Sequence, residues 1–123
     1  MNKDIKSYKD LIVWQKAHVL AKQVLYSLKN FPKSDEARII KQQLIRSTLS
    51  VPSNIAEGFG GIKGNSYRNY LTIAKRSLAE SDYWLFLSFD LSYIEEKKYF
   101  KANSVIQEIN AMLNSIINKL NTD

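Results

Sequence analysis

From Tyr99 to Leu120 the apolar residues Tyr99, Ala102, Ile106, Ile109, Leu113, Ile116 and Leu120 return at steps of three and four without a break. That rhythm matches the turn of an α-helix and makes a heptad seam, a stripe stable only when other helices cover it. Three earlier segments keep the same beat. Val13, Ala17, Leu20, Ala21, Val24 and Leu28 mark the first; Ile40, Leu44, Ser47, Val51 and Ile55 the second; Tyr67, Leu71, Ala74, Leu78, Ser81 and Leu85 the third. No stretch sustains period-two alternation and no Asn-Gly turn occurs, so strands are not expected.

The punctuation between segments agrees. Asn30 and Pro32 end the first; Ser34, with Asp35 and Glu36 behind it, supplies an N-cap and dipole-matched acids for the second. Pro52 lies inside the second and predicts a kink, because the periodicity continues through Ile55. Gly58 is expected to stop that helix, and Asn65 or Ser66 to cap the third. The run Tyr83-Trp84-Leu85-Phe86-Leu87 is apolar all round and is expected to be buried on most sides. The spacing thus predicts helices at about 10–29, 35–57, 66–91 and 95–120. Short connections make neighbours antiparallel, so the expected fold is all-α, an up-down-up-down four-helix bundle with residues 1–123 as one domain.

Composition narrows the chemistry. The chain has no cysteine and one histidine, His18. Disulfides, thiolate metal sites, thiol catalysis and histidine-pair metal sites are all excluded, and no metal, cofactor or enzymatic activity is expected. The glycine-rich stretch Gly58–Ser66 lacks the Gly-Lys-Ser/Thr ending and preceding strand of an NTPase loop; a looser anion site at the start of the third helix, aided by Lys63, stays open. Met1–Asp10 has no apolar core of a signal peptide, and no segment reaches the ~20 apolar residues of a membrane span. A cytoplasmic protein without membrane contact is expected.

Eighteen Lys and Arg against twelve Asp and Glu give a formal charge of +6. Such an excess suits an anionic partner such as nucleic acid or an acidic protein surface, and equally serves solubility alone. The side chains that fit a nucleic-acid surface are Arg38, Lys41, Arg46, Lys63, Arg68, Lys75 and Arg76; the plainer reading of each is a solvated helix face near acids such as Asp82. The aromatics Tyr67, Tyr70, Tyr83, Trp84, Phe86 and Phe89 have faces for base stacking, but at helical spacing they are core first. Glu57 and Glu80 are the carboxylates available for acid–base work; with Asn54 and Arg46 they are assigned instead to a structural polar network that fixes packing around Pro52.

Two helices carry a second apolar line. Ile12, Val19 and Tyr26, seven apart, lie opposite the core stripe of the first, and Ile45, Leu49, Pro52 and Ala56 lie off the stripe of the second. Apolar lines on adjacent elements mark a protein–protein surface, so Ile12, Val19, Tyr26, Ile45, Leu49 and Ala56 are the expected oligomer interface.

The segment Gln43-Leu44-Ile45-Arg46-Ser47-Thr48-Leu49-Ser50-Val51-Pro52-Ser53-Asn54-Ile55-Ala56-Glu57-Gly58 resembles the signature of a bacterial four-helix-bundle family named for intervening sequences within 23S ribosomal RNA genes. Tyr8–Ala17, Asn30–Lys33, Tyr70–Ala74 and Ser77–Glu80 are similar to further family patterns, and the likeness runs from about Tyr8 to Ile94. It implies a bundle assembled as a homopentameric ring, with no known enzymatic activity. A related branch is the accessory protein of diversity-generating retroelements, where a basic pentamer engages a reverse transcriptase and nucleic acid. This sequence departs from the family at Ile45-Arg46, where paired arginines are usual, and at Gly60-Gly61, where a basic residue is usual. Both departures remove positive charge. Two functions follow: a homo-oligomer that binds RNA or DNA, or a protein scaffold or adaptor, such as a reverse-transcriptase accessory subunit, with no nucleic-acid role.

Overall fold

The computed structural model describes residues 4–61 and 65–121. Four α-helices make up its frame: α1 (Ile12–Ser27), α2 (Asp35–Gly60), α3 (Asn65–Asp90) and α4 (Glu96–Asn121), and there is no strand among the described residues. Single 3-10 turns at Tyr8–Asp10 and Leu28–Asn30 flank α1.

Local chemistry sets most of the ends. Ser34 has extended backbone and its hydroxyl accepts from the Ala37 amide at 3.2 Å, capping α2 as expected. Before α1, Ser7 accepts from the Lys9 amide while the Asp10 carboxylate accepts from the amides of Lys6 and Ser7. These backbone donors hold the Asp10 carboxyl below its usual pKa. At the end of α3, Ser92 enters the left-handed region (φ 66°), so that its amide reaches Phe89 carbonyl and the Tyr93 amide reaches Ser88 carbonyl at 2.7 Å. That is a Schellman-type stop built on serine where glycine is usual. Tyr93 then packs on Phe31, with ring centroids 5.3 Å apart, and ties the α3–α4 turn to the α1–α2 connection.

Residue pairs give the topology. Arg46 meets Glu80, Ser50 meets Ser77, and Gly58 lies against Tyr70, so α2 and α3 run antiparallel. Asp82 accepts from Asn103 and Arg68 donates to Asn121, making α3 and α4 antiparallel likewise. Trp14 lines a hollow with Leu49, Pro52 and Ala56, which sets the start of α1 beside the far half of α2. Lys16 pairs with Glu108 at 3.1 Å and closes the ring between α1 and α4. The four stripes meet in one core that includes Leu20, Leu44, Val51, Ile55, Leu71, Leu78, Ile109 and Leu113, as periodicity demanded.

Two expectations need correction. Gly58 does not end α2, which continues to Gly60. Gly58 is buried, and a Cβ there would stand 2.7 Å from the Tyr70 Cβ, so the glycine is a point of close helix approach. Pro52 lies buried inside α2, which continues past it as the periodicity through Ile55 predicted. The end of α3 is not buried on most sides: Leu85 is, but Tyr83 and Phe86 are exposed. Helix α3 packs mainly against α2 and α4 among the described residues, so residues pointing away from both stay uncovered.

Candidate nucleic-acid interface and apolar faces

The signature segment of α2 proves to be one half of a polar, small-residue seam with α3. Ser81 Oγ donates to Ser77 carbonyl at 2.8 Å and lies 3.0 Å from Ser47 Oγ and 3.4 Å from Thr48 Oγ1. Ser50 and Ser77 hydroxyls meet at 2.8 Å, and Asn54 Nδ2 donates to the Ser50 carbonyl at 2.7 Å and to its hydroxyl at 2.8 Å. Short side chains let the two backbones close in, and every hydroxyl buried by that approach must find a partner. Among the described residues no buried side-chain nitrogen or oxygen lacks one.

At the rim of this seam Arg46 donates to Glu80, and its guanidinium is also held by Gln43 Oε1 at 2.9 and 3.1 Å. Glu80 further accepts from Trp84 Nε1 at 3.1 Å. Of the expected network Arg46 and Glu80 meet, while Asn54 bonds instead to Ser50, which meets Ser77. Glu57 belongs to neither: it is exposed and makes no hydrogen bond or ion pair among the described residues. It lines the hollow beside Tyr8, Trp14 and Leu49 instead.

The cationic residues do not converge on one face. Arg38 stands seven residues before Ile45, on the flank of α2 that reaches toward α1; it is exposed and lies 3.8 Å from Asp35. Lys41 is half-buried. Arg46 is spent on Glu80 across the seam. Arg68, Lys75 and Asp82 follow one another at seven-residue spacing on α3, and both ends of that line touch α4: Arg68 donates to Asn121 at 3.0 Å and Asp82 accepts from Asn103 at 3.0 Å and from Tyr99. Lys75 lies between them, and Arg76 is exposed on the adjoining surface; neither has an acidic partner among the described residues. Lys63 and the proposed anion site beside it lie outside the described residues.

A basic element passed unnoticed in the sequence. From Leu11 to Ser34 the chain holds Lys16, Lys22, Lys29 and Lys33 and no acidic residue. Only Lys16 of these makes an ion pair among the described residues. The absence of Asp and Glu over this run was the available signal. His18 lies on the same helix, exposed and stacked on Trp14 with centroids 4.8 Å apart, a surface packing role.

The two apolar lines fare differently. Ile12, Val19 and Tyr26 are 60%, 50% and 63% exposed, an uncovered stripe along α1. On α2 only Leu49 is exposed; Ile45 packs against the core, Pro52 is buried and Ala56 half-buried, beside Tyr8 and Trp14. The chain ahead of α1 folds over this flank, which period alone did not reveal. A further apolar surface lies where α3 ends and α4 begins. Phe89 stacks on buried Tyr99 at 5.2 Å, and exposed Phe86 and Phe100 border that pair. Burial, and secondarily Asp82, raises the Tyr99 hydroxyl above its usual pKa; burial does the same for Tyr67.

No group of His, Cys, Asp and Glu suited to a metal ion occurs among the described residues, and no described helix is long and apolar enough to cross a membrane.

Comparison with known proteins fits this architecture. No curated protein matches the sequence. A crystal structure of a protein of unknown function from the S23 ribosomal protein family of Bacteroides thetaiotaomicron VPI-5482 superposes with a TM-score of 0.79 at 29% identity. The match covers 86% of this chain and 98% of that one. The model of the 23S rRNA-intervening sequence protein family matches residues 9–115, across all four helices and the α2–α3 seam, and the chain belongs to that family.

Proposed function

We propose that this chain is a non-enzymatic, self-associating module whose assembled copies bind RNA or DNA through a basic surface. Helix α1 carries the reading. Its outer line Ile12, Val19 and Tyr26 is exposed in the single chain, and the run Leu11–Ser34 holds four lysines and no acidic residue. An apolar stripe of this length invites a second protein surface, and a second copy is the one always at hand. The family resemblance suggests a pentameric ring, which multiplies the charge of +6 fivefold. Lys22, Lys29, Lys33, Lys75 and Arg76 are the cations best placed to meet phosphates. The aromatic surface of Phe86, Phe89 and Phe100 supports a second reading, a scaffold or adaptor for another protein such as a reverse transcriptase.

Assembly mass and polyanion binding, measured in the same samples, test both. The expected result is an oligomer that binds structured RNA, single-stranded DNA or duplex DNA with an affinity falling linearly on log–log axes as salt rises. Val19→Glu should release folded monomers, because the residue is half exposed and outside the core. An unchanged mass for Val19→Glu removes α1 from the interface. An oligomer that ignores all three polyanions at low salt shifts the weight to the adaptor reading.

A further inference from the structure

Between α1 and α4, at the end where α1 finishes and α4 begins, the bundle opens into a cavity of about 290 Å³. Its floor is core: Leu20, Val24 and Leu85, joined by Ile94 from the α3–α4 turn. Its mouth carries Lys98 and Lys101, and no acidic residue lines it.

The position of Lys98 explains the opening. Lys98, Val105 and Met112 stand seven apart on α4, and the latter two pack against the core. An apolar residue at 98 would continue that line and help close the seam; the lysine keeps its head in water and leaves the hollow uncovered. Ala102, also in the wall, is too short to fill it. Neither Lys98 nor Lys101 forms an ion pair among the described residues. Ser27 lines the cavity too, but its hydroxyl donates to the Val24 carbonyl at 2.7 Å and does not point a free donor inward.

An apolar hollow of roughly this volume sits at the small end of ligand pockets, and the few polar groups at its edge fix what it accepts. We propose that the cavity binds a small amphipathic anion: a short alkyl or acyl chain in the hollow, with a carboxylate or phosphate head between the ammonium groups of Lys98 and Lys101. The chain gains by covering Leu20, Val24 and Leu85; the head stays hydrated at the mouth, so its charge is not desolvated. Tyr26 of the proposed assembly stripe also lines the cavity, so the site borders that surface, but it does not depend on nucleic-acid binding.

Methyl NMR on the full chain, titrated with octanoate, octyl phosphate and octanol, tests this. Both anions should shift the methyls of Leu20, Val24, Leu85 and Ile94, with Kd of about 0.1–1 mM. The tighter of the two identifies the head group, and octanol should bind more weakly than either. The double variant Lys98→Gln/Lys101→Gln changes only exposed positions. It should keep the fold, weaken both anions about five- to tenfold and leave octanol unchanged. Octanol matching octanoate, or silence at these methyls, overturns the proposal. The titration is run at one fixed protein concentration, since Tyr26 of the proposed assembly stripe also lines the cavity.

Discussion

The α2–α3 and α1–α4 seams are built from the same element type and close on opposite terms. Between α2 and α3 the facing residues are Ser47, Ser50, Thr48, Ser77, Ser81 and Gly58, and hydroxyls of the two helices come within 2.8 to 3.4 Å. Between α1 and α4 the facing residues include Gln23, Lys98 and Lys101, and the helices part around a cavity of about 290 Å³. Small side chains bring backbones together only when their hydroxyls are satisfied; long charged ones hold helices apart because their heads seek water. One seam therefore works as a fixed hinge plate for the fold, and the other leaves room that a ligand or partner can use.

The largest effect should come from adding bulk to the tight seam. Gly58→Leu forces side-chain atoms into the place of Tyr70, whose Cβ stands 2.7 Å from where a Cβ would sit. Urea unfolding should show a loss of about 3 kcal/mol; a loss below 1 kcal/mol means the seam can open and the contrast is weaker than drawn. Bulk added to the loose seam should act the other way. Ala102→Leu projects into the cavity and should raise stability by about 1 kcal/mol, and a destabilised variant shows the hollow to be smaller in solution.

Next comes the rim of the tight seam. A double-mutant cycle on Arg46→Ala and Glu80→Ala should return a coupling of about 0.5–1 kcal/mol, modest because both groups are more than a third exposed. A coupling near zero leaves the small residues as the sole source of closeness.

The smallest effect concerns the α3–α4 side. The Tyr99 hydroxyl has its pKa raised by burial and by Asp82. Its contribution is complete below the unfolded tyrosine pKa, about 10, and is lost as pH rises through the folded value. Tyr99→Phe should flatten the alkaline fall in stability without abolishing it, since Tyr67 is shifted the same way. An identical alkaline profile for the variant separates Tyr99 from that fall.

Much of the site was legible in particular residues. The Ile12–Val19–Tyr26 line lies exposed where its seven-residue spacing put it, and Arg46 and Glu80 do meet. Ile45 is partly covered by the core and Ala56 lies beside Tyr8 and Trp14, neither of which the period of α2 revealed. Glu57 is assigned from sequence to the network around Pro52 as a charge that burial would force to pair, but it is exposed. The basic run of α1 was missed for a simpler reason: it is defined by the acids it lacks.

By itself the sequence determined the number and order of the helices and the stripe that each one turns to the core. Those follow from period and caps, which act over a few residues. The tertiary structure alone decided which off-stripe residues are covered, that Gly58 is a contact and not a stop, and that the α1–α4 seam holds a cavity. Each of these depends on how closely two helices approach, and that distance is set jointly by side chains far apart in the chain.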